Sequence, residues 1–136
     1  MSGLFDVFGI SGSGLTLHRK WMDAIADNIA NINDVSSTSQ SAFQARYIEA
    51  SAVNYGSGDG GVAVSGTQFG NAQGRIVNDP SNPLADKDGN VRLPDIDLSE
   101  QMTQLIMAQR GYQASLAVVD RARDAYSAAI QVGRSA

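Results

Sequence analysis

The 136-residue sequence contains no cysteine, one histidine, one tryptophan and three prolines. The missing cysteine excludes disulfides, thiolate metal sites and cysteine nucleophiles, and a lone histidine excludes any multi-histidine metal centre. No apolar run reaches the ~18 residues that a membrane-spanning helix requires. The opening MSGLFDVFGI lacks the cationic lead and sustained apolar stretch of a cleavable signal peptide, so neither membrane insertion nor standard secretion is expected. Basic residues are also scarce: 10 Lys and Arg stand against 14 Asp and Glu, for a net charge of −4 and a pI near 4.7. Cations this few and this scattered do not make a phosphate-backbone binder, and no nucleic-acid partner is expected.

What is present is unevenly distributed. Leu, Ile, Val, Met and Ala crowd the two ends, whereas residues 34–96 hold most of the Gly, Ser, Asn and Asp and all three prolines. The expected fold is therefore mainly α with a small irregular or β middle segment. Its parts would be an N-terminal helix in 1–33, a loop- and β-rich segment in 34–96 and a C-terminal helix in 97–136.

At the N-terminal end Leu4, Phe8, Leu15, His18, Met22, Ile25, Ile29 and Ile32 form a seam, recurring in steps of four and three from Leu15 onward. That average period of 3.5 keeps one stripe against a partner helix. The SGSG at residues 11–14 weakens the first turns, since each interior glycine costs about 1 kcal/mol relative to alanine. A firm helix is expected from about Leu15 to Ile32, preceded by a kink, a fray or an inducible turn. Toward the C-terminus, Leu98, Met102, Leu105, Gln109, Tyr112, Leu116, Val119, Arg123, Tyr126 and Ile130 keep the same rhythm. Asp97 and Glu100 have the spacing of a capping box, and Gly133 is the expected stop. Such a helix would be about 50 Å long and needs a partner along most of its length.

Strand signals in the middle are modest. Phe43, Ala45 and Tyr47 alternate with Gln44, Arg46 and Ile48; Val62 and Val64 share one face; Arg75 to Asn78 is a further candidate; and Asp88-Gly89 suits a tight turn. SSTSQS and NYGSGDGG read as loops.

None of the candidate chemical motifs survives inspection. GSGDGG at 56–61 satisfies GxGxxG, but strand-like residues follow it where a phosphate site requires a helix. DKDGN at 86–90 alternates oxygen ligands, yet an EF-hand needs Gly at its sixth position and Glu at its twelfth, and here stand Val91 and Asp97. His18 lies on the helical seam, where a packed polar residue is a better reading than a triad base. Asp95 and Asp97 suit helix capping. No catalytic, cofactor-binding or metal-binding residue is assigned, and neither an enzyme activity nor a small-molecule substrate is expected.

The C-terminal helix also carries Ile106, Val118, Ala122 and Ala129 beside its seam, a wider apolar face than one shorter helix hides. A bare face of that size is an aggregation hazard, so burial against other chains is expected. The competing reading is a soluble helical-hairpin binding module, such as an export chaperone or adaptor.

Two stretches carry a resemblance. NIANIN at 28–33 resembles the Asn-Leu-Ala-Asn-x-Asn signature of the flagellar rod and hook axial protein family. DPSNPLADKDGNVRLP at 79–94, followed by Glu100, Met102, Ala108, Arg110, Tyr112 and Ala114, resembles the C-terminal half of that family's proximal-rod branch. The sequence departs from the pattern where DVSSTSQSAF delays the expected aromatic to Phe43, where Pro94-Asp95-Ile96-Asp97 replaces Pro-Asn-Val-Asn, and where Ser115 stands in place of a frequent Asn. The resemblance implies a structural subunit of the bacterial flagellar basal body. Such a subunit would be exported unfolded through the flagellar type III apparatus without a cleaved signal, then assembled in the periplasm with copies of itself and other rod proteins. It further implies terminal helices paired in a coiled-coil-like axial core, with the middle segment outside. The seam residues would then form the subunit interface, with His18, Gln109 and Arg123 fixing register. Asn28 and Asn31 would bond backbone groups of a neighbouring helix or of the turn ending their own.

Overall fold

The computed structural model describes residues 2–54, 56 and 60–135, with the side chains of residues 2, 4 and 135 outside that description. Two terminal helices, α1 (Ser2–Ala30) and α2 (Leu98–Ser135), enclose two antiparallel β-ribbons. The chain is thus mainly α with a β-containing middle.

The helices run antiparallel, as four pairings along them show. Phe5 meets Tyr126 edge-on, Gly14 lies against Ser115, His18 lies over Gly111, and Asn28 bonds Gln101. On the other side of α1 lies the first ribbon, β1 (Arg46–Asn54) paired with β2 (Gly60–Phe69) from Arg46↔Phe69 to Asn54↔Gly60, with a bulge between Glu49 and Ala50. The ribbon runs back along α1. Arg46 sits at Asn28, Ile48 and Ala50 line a groove with Leu17, His18 and Trp21, and Val62 reaches Ser13. Helix α1 is therefore the middle layer of three.

Helix α1 runs unbroken through the segment where a kink, a fray or an inducible turn was expected before Leu15. Ser13 Oγ donates to Ile10 O at 2.7 Å and Thr16 Oγ1 to Gly12 O at 3.1 Å, so these hydroxyls bond within the helix. Gly14 has a packing reason, because a Cβ there would stand 3.1 Å from Ser115 Oγ. At the other end the helix stops two residues before the expected Ile32, unwinding through Asp34 N to Asn31 O at 3.0 Å. In α2 the Asp97 cap forms, with Glu100 N donating to Asp97 Oδ1 at 2.8 Å. Glu100 does not reach back; its carboxylate accepts from Gln104 Nε2 at 3.0 Å. The expected stop at Gly133 is also corrected, since α2 continues through it to Ser135. At 38 residues the helix is about 57 Å long.

The second ribbon pairs β3 (Arg75–Asn78) with β4 (Asn90–Leu93), from Arg75↔Leu93 to Asn78↔Asn90. Strand β4 carried no strong sequence signal. It forms because Val91 is buried and because the serine-rich segment docks on its outer edge, Ser36 and Arg92 exchanging N–H···O bonds of 2.9 Å each way. Arg92 reaches further, Nη2 donating to Thr38 O at 2.8 Å and Nη1 to Gln73 O. SSTSQS is thus a loop held along a strand. The GSGDGG pattern joins strand to strand among its described residues, as a hairpin would and a nucleotide loop would not.

DKDGN folds as the expected turn. Asp86 Oδ1 accepts from Asp88 N at 3.0 Å and Asn90 N at 2.9 Å, Thr38 Oγ1 donates to Oδ2 at 2.9 Å, and Gly89 takes φ +78°. The Asn90 N–H and the Thr38 hydroxyl hold the Asp86 carboxyl below its ordinary 3.8. A depressed acid stabilises the fold above the unfolded-state pKa and loses that contribution as pH falls through the folded value. A carboxyl-carbon NMR titration should place the Asp86 midpoint below 3.8, with Thr38→Val moving it up. A midpoint at or above the ordinary value contradicts the turn geometry.

Candidate subunit interface

The core is small. Ala24, Ile25, Ala42, Ala45, Val91, Ile96, Ala108 and Ala122 are its buried apolar residues, half of them or more alanine, with Asn28 and Gln101 buried among them. Total accessible surface is 8749 Å² for 14.3 kDa, whereas a compact monomer of that mass exposes about 6,800 Å². The excess belongs to a thin, elongated body with little interior.

On α2 the face turned to α1 is not the whole stripe that apolar spacing picks out. Gln101, Ala108 and Ala122 are buried, Ser115 touches Gly14, and Leu105, Tyr112, Val119 and Tyr126 are half-buried beside them. That inner stripe also steps by four and three. It shares Leu105, Tyr112, Val119 and Tyr126 with the expected seam but takes the preceding residue at every other position, a rotation of about 100° there. The residues it leaves outside are Met102 (48% exposed), Gln109, Leu116 (42%), Arg123 and Ile130 (44%), with Leu98 and Ile106 alongside. Of the apolar residues beside the seam, Ala122 is absorbed by α1, whereas Ile106, Val118 and Ala129 are exposed.

Sequence reading missed Gln101, which is polar, and Ala108, Gly111 and Ser115, because a search for large apolar side chains passes over polar and small ones. The signal of the last three is small size at helical spacing, which lets two backbones approach closely. A Cβ on Gly111 would stand 2.9 Å from His18 Cε1 and nearer still to Cδ2 and Nε2.

On α1, Ile25 and Asn28 are buried within the chain, and Phe8, Leu15, His18, Met22, Ile29, Asn31 and Ile32 are half-buried. The side chain of Leu4 lies outside the described residues. His18 Nδ1 pairs with Gly14 O at 2.7 Å, the ring covering Gly111. Asn28, at 0% exposure, satisfies three bonds: Nδ2 donates to Arg46 O at 3.0 Å and to Gln101 Oε1 at 2.9 Å, and Oδ1 accepts from Arg46 N at 2.7 Å. One side chain thereby fastens α1 to both the ribbon and α2, which leaves it no free polar group for a neighbouring subunit. Asn31 Nδ2 donates to Asp27 O at 2.8 Å, capping its own helix. Arg46 Nη1 adds an exposed ion pair to Asp27 at 2.6 Å. Arg123 is exposed beside Asp120 at 3.9 Å and Asp124 at 3.6 Å.

Among the described residues no helix is long and apolar enough to cross a membrane, and no group of three or more His, Cys, Asp or Glu could hold a metal ion. The geometry offers an elongated apolar face on a helical hairpin.

The chain is similar in sequence to known proteins. The family described as flagellar basal body rod FlgEFG protein C-terminal matches residues 87–132, which span the Asp88-Gly89 turn and nearly all of α2. The flagellar basal-body rod protein FlgC of Yersinia enterocolitica is 31% identical over 132 residues, covering 96% of this chain and 98% of that protein. FlgC of Aquifex aeolicus is 32% identical over 117 residues, covering 85% and 87%, and FlgC of Salmonella typhimurium is 29% identical over 133 residues, covering 96% and 98%. With its terminal helices, the β segment between them and nearly its whole length matched, this chain belongs to the family of flagellar basal-body rod proteins FlgC.

Proposed function

We propose that the chain is a structural subunit of the bacterial flagellar basal-body proximal rod, adding to other copies of itself and to other rod proteins through its terminal helices and transmitting torque from motor to hook. The observation that carries this reading is the outer stripe of α2, whose Met102, Leu116 and Ile130 stay exposed although α1 already covers the inner stripe. Burying one large apolar side chain is worth ~1.5–3 kcal/mol, so covering the stripe strongly favours association. In the assembled rod the hairpins pack as a coiled-coil-like axial core, with the 1–33 and 97–136 parts inside and 34–96 outside. Exposed Gln109 and Arg123 set register along the stripe, and export runs through the flagellar type III apparatus without a cleaved signal peptide, delivering the subunit to the periplasm. The ends of the helices, least covered by the chain itself, complete their order as the subunit joins.

Leu116→Asp tests this reading, because Leu116 is exposed and its change should alter the stability of the isolated chain by no more than ~0.5 kcal/mol. The expected strain exports the variant at normal levels yet does not swim and builds no rod. Ile29→Asp is expected to block assembly too, but Ile29 is half-buried and folding must be checked beside it. Normal motility of the Leu116 variant would remove the outer stripe from the interface.

A further inference from the structure

The part of α1 least able to hold itself helical is the part that the β1–β2 ribbon grips. Ser11, Gly12, Ser13 and Gly14 are poor helix formers, since glycine loses the most backbone freedom and serine competes for backbone partners. Ser13 stands at the contact. Its hydroxyl hydrogen is committed to Ile10 O at 2.7 Å, which leaves its lone pairs to accept the Val62 N–H at 3.0 Å. Through that N–H, β2 is bonded to α1 as well as paired with β1. Gly61 makes the approach close, because a Cβ there would fall 2.9 Å from Ser13 Oγ. One residue along, Gly14 faces the opposite way and lies against Ser115 of α2. At this level α1 is held from both sides, and N-terminal to it Phe5 and Ile10 are left largely exposed.

We propose that the β1–β2 ribbon is an intramolecular strap whose catch is the bond from Val62 N–H to Ser13 Oγ, and that this catch keeps the serine- and glycine-rich turn of α1 helical in the free chain. The catch determines whether the N-terminal turns are presented as preformed helix, independently of which protein later covers them.

Ser13→Ala separates the strap from ordinary helix propensity, because alanine is the better helix former. Propensity alone therefore makes the variant's turn firmer, whereas loss of the catch makes it looser. Hydrogen exchange on the isolated full chain should show the amides of Leu15, Thr16 and Leu17 exchanging at least tenfold faster in Ser13→Ala than in the parent. The amides of α2 between Gln101 and Ala108 should change less than twofold. Gly61→Ala, which changes no residue of α1 but sets a Cβ against Ser13 Oγ and so wedges the ribbon away, should reproduce the local loss. Exchange as slow as the parent's or slower in Ser13→Ala overturns the proposal. So does uniform acceleration throughout the chain, and so does a parent chain with no protection at Leu15 to Leu17.

Discussion

Gly74→Ala should be the most damaging single-methyl change in the molecule, lowering stability by about 3–5 kcal/mol. Gly74 takes φ +57°, which L side chains rarely adopt, in the turn that follows the β1–β2 ribbon and leads into β3. Conformation is the smaller part of the cost. A Cβ there would fall far inside contact distance of Leu93 O and 2.6 Å from the Ala42 Cβ. Neither neighbour can yield: one is backbone at the end of β4, and Ala42 is buried, its N–H donating to Ala72 O at 2.9 Å. Thermal unfolding of the purified chain should show the loss, with early exchange of the Ser36 and Arg92 amides. Gly133→Ala is the control, since an added Cβ there meets nothing within 4 Å in α2 and should be neutral or stabilising by up to about 1 kcal/mol. A tolerated Gly74→Ala would mean that β3 and β4 do not close as described.

The second large effect is expected at Asn28→Ala. Truncation strips partners from Arg46 N–H, Arg46 O and the buried Gln101 amide together. Leaving a buried polar group unsatisfied costs about 1–3 kcal/mol, and Arg46 lies near solvent that can replace part of the loss, so the sum should be about 2–4 kcal/mol. Denaturant unfolding measures it. Gln101→Leu, combined with Asn28→Leu, should recover part of the loss by removing the polar group left stranded. A double variant no better than the Asn28 truncation would show that the loss arises chiefly at Arg46.

These two sites differ in how they could be read from sequence. Asn28 lies within NIANIN, so the family pattern marks it, but the three bonds that explain it join residues 28, 46 and 101, and no periodicity links them. Gly74 lies between Gln73 and Arg75 with no distinguishing neighbour, and only the return of β4 beside Ala42 makes a side chain there impossible. Strand β4 is similar. Asn90 to Leu93 is too short and too mixed to announce a strand, and it becomes one because Ser36 and Val77 flank it. The second half of the 34–96 segment is thus organised by long-range bonds that local composition does not encode.

By itself, the sequence determined two amphipathic terminal helices, the Asp97 cap, the Asp86 turn and a β-containing middle. Each rests on residues within a few positions of one another, where spacing and side-chain chemistry act directly. Only the tertiary structure decided which side of α2 faces inward. A four-three rhythm is met equally well by the stripe through Met102, Gln109 and Leu116 and by the one through Gln101, Ala108 and Ser115, one residue apart. The small stripe wins the intramolecular contact because Gly14 and His18 of α1 can close on Ser115 and Gly111 only where no large side chain stands between the backbones. The large residues are left on the outer face, where a neighbouring chain can bury them.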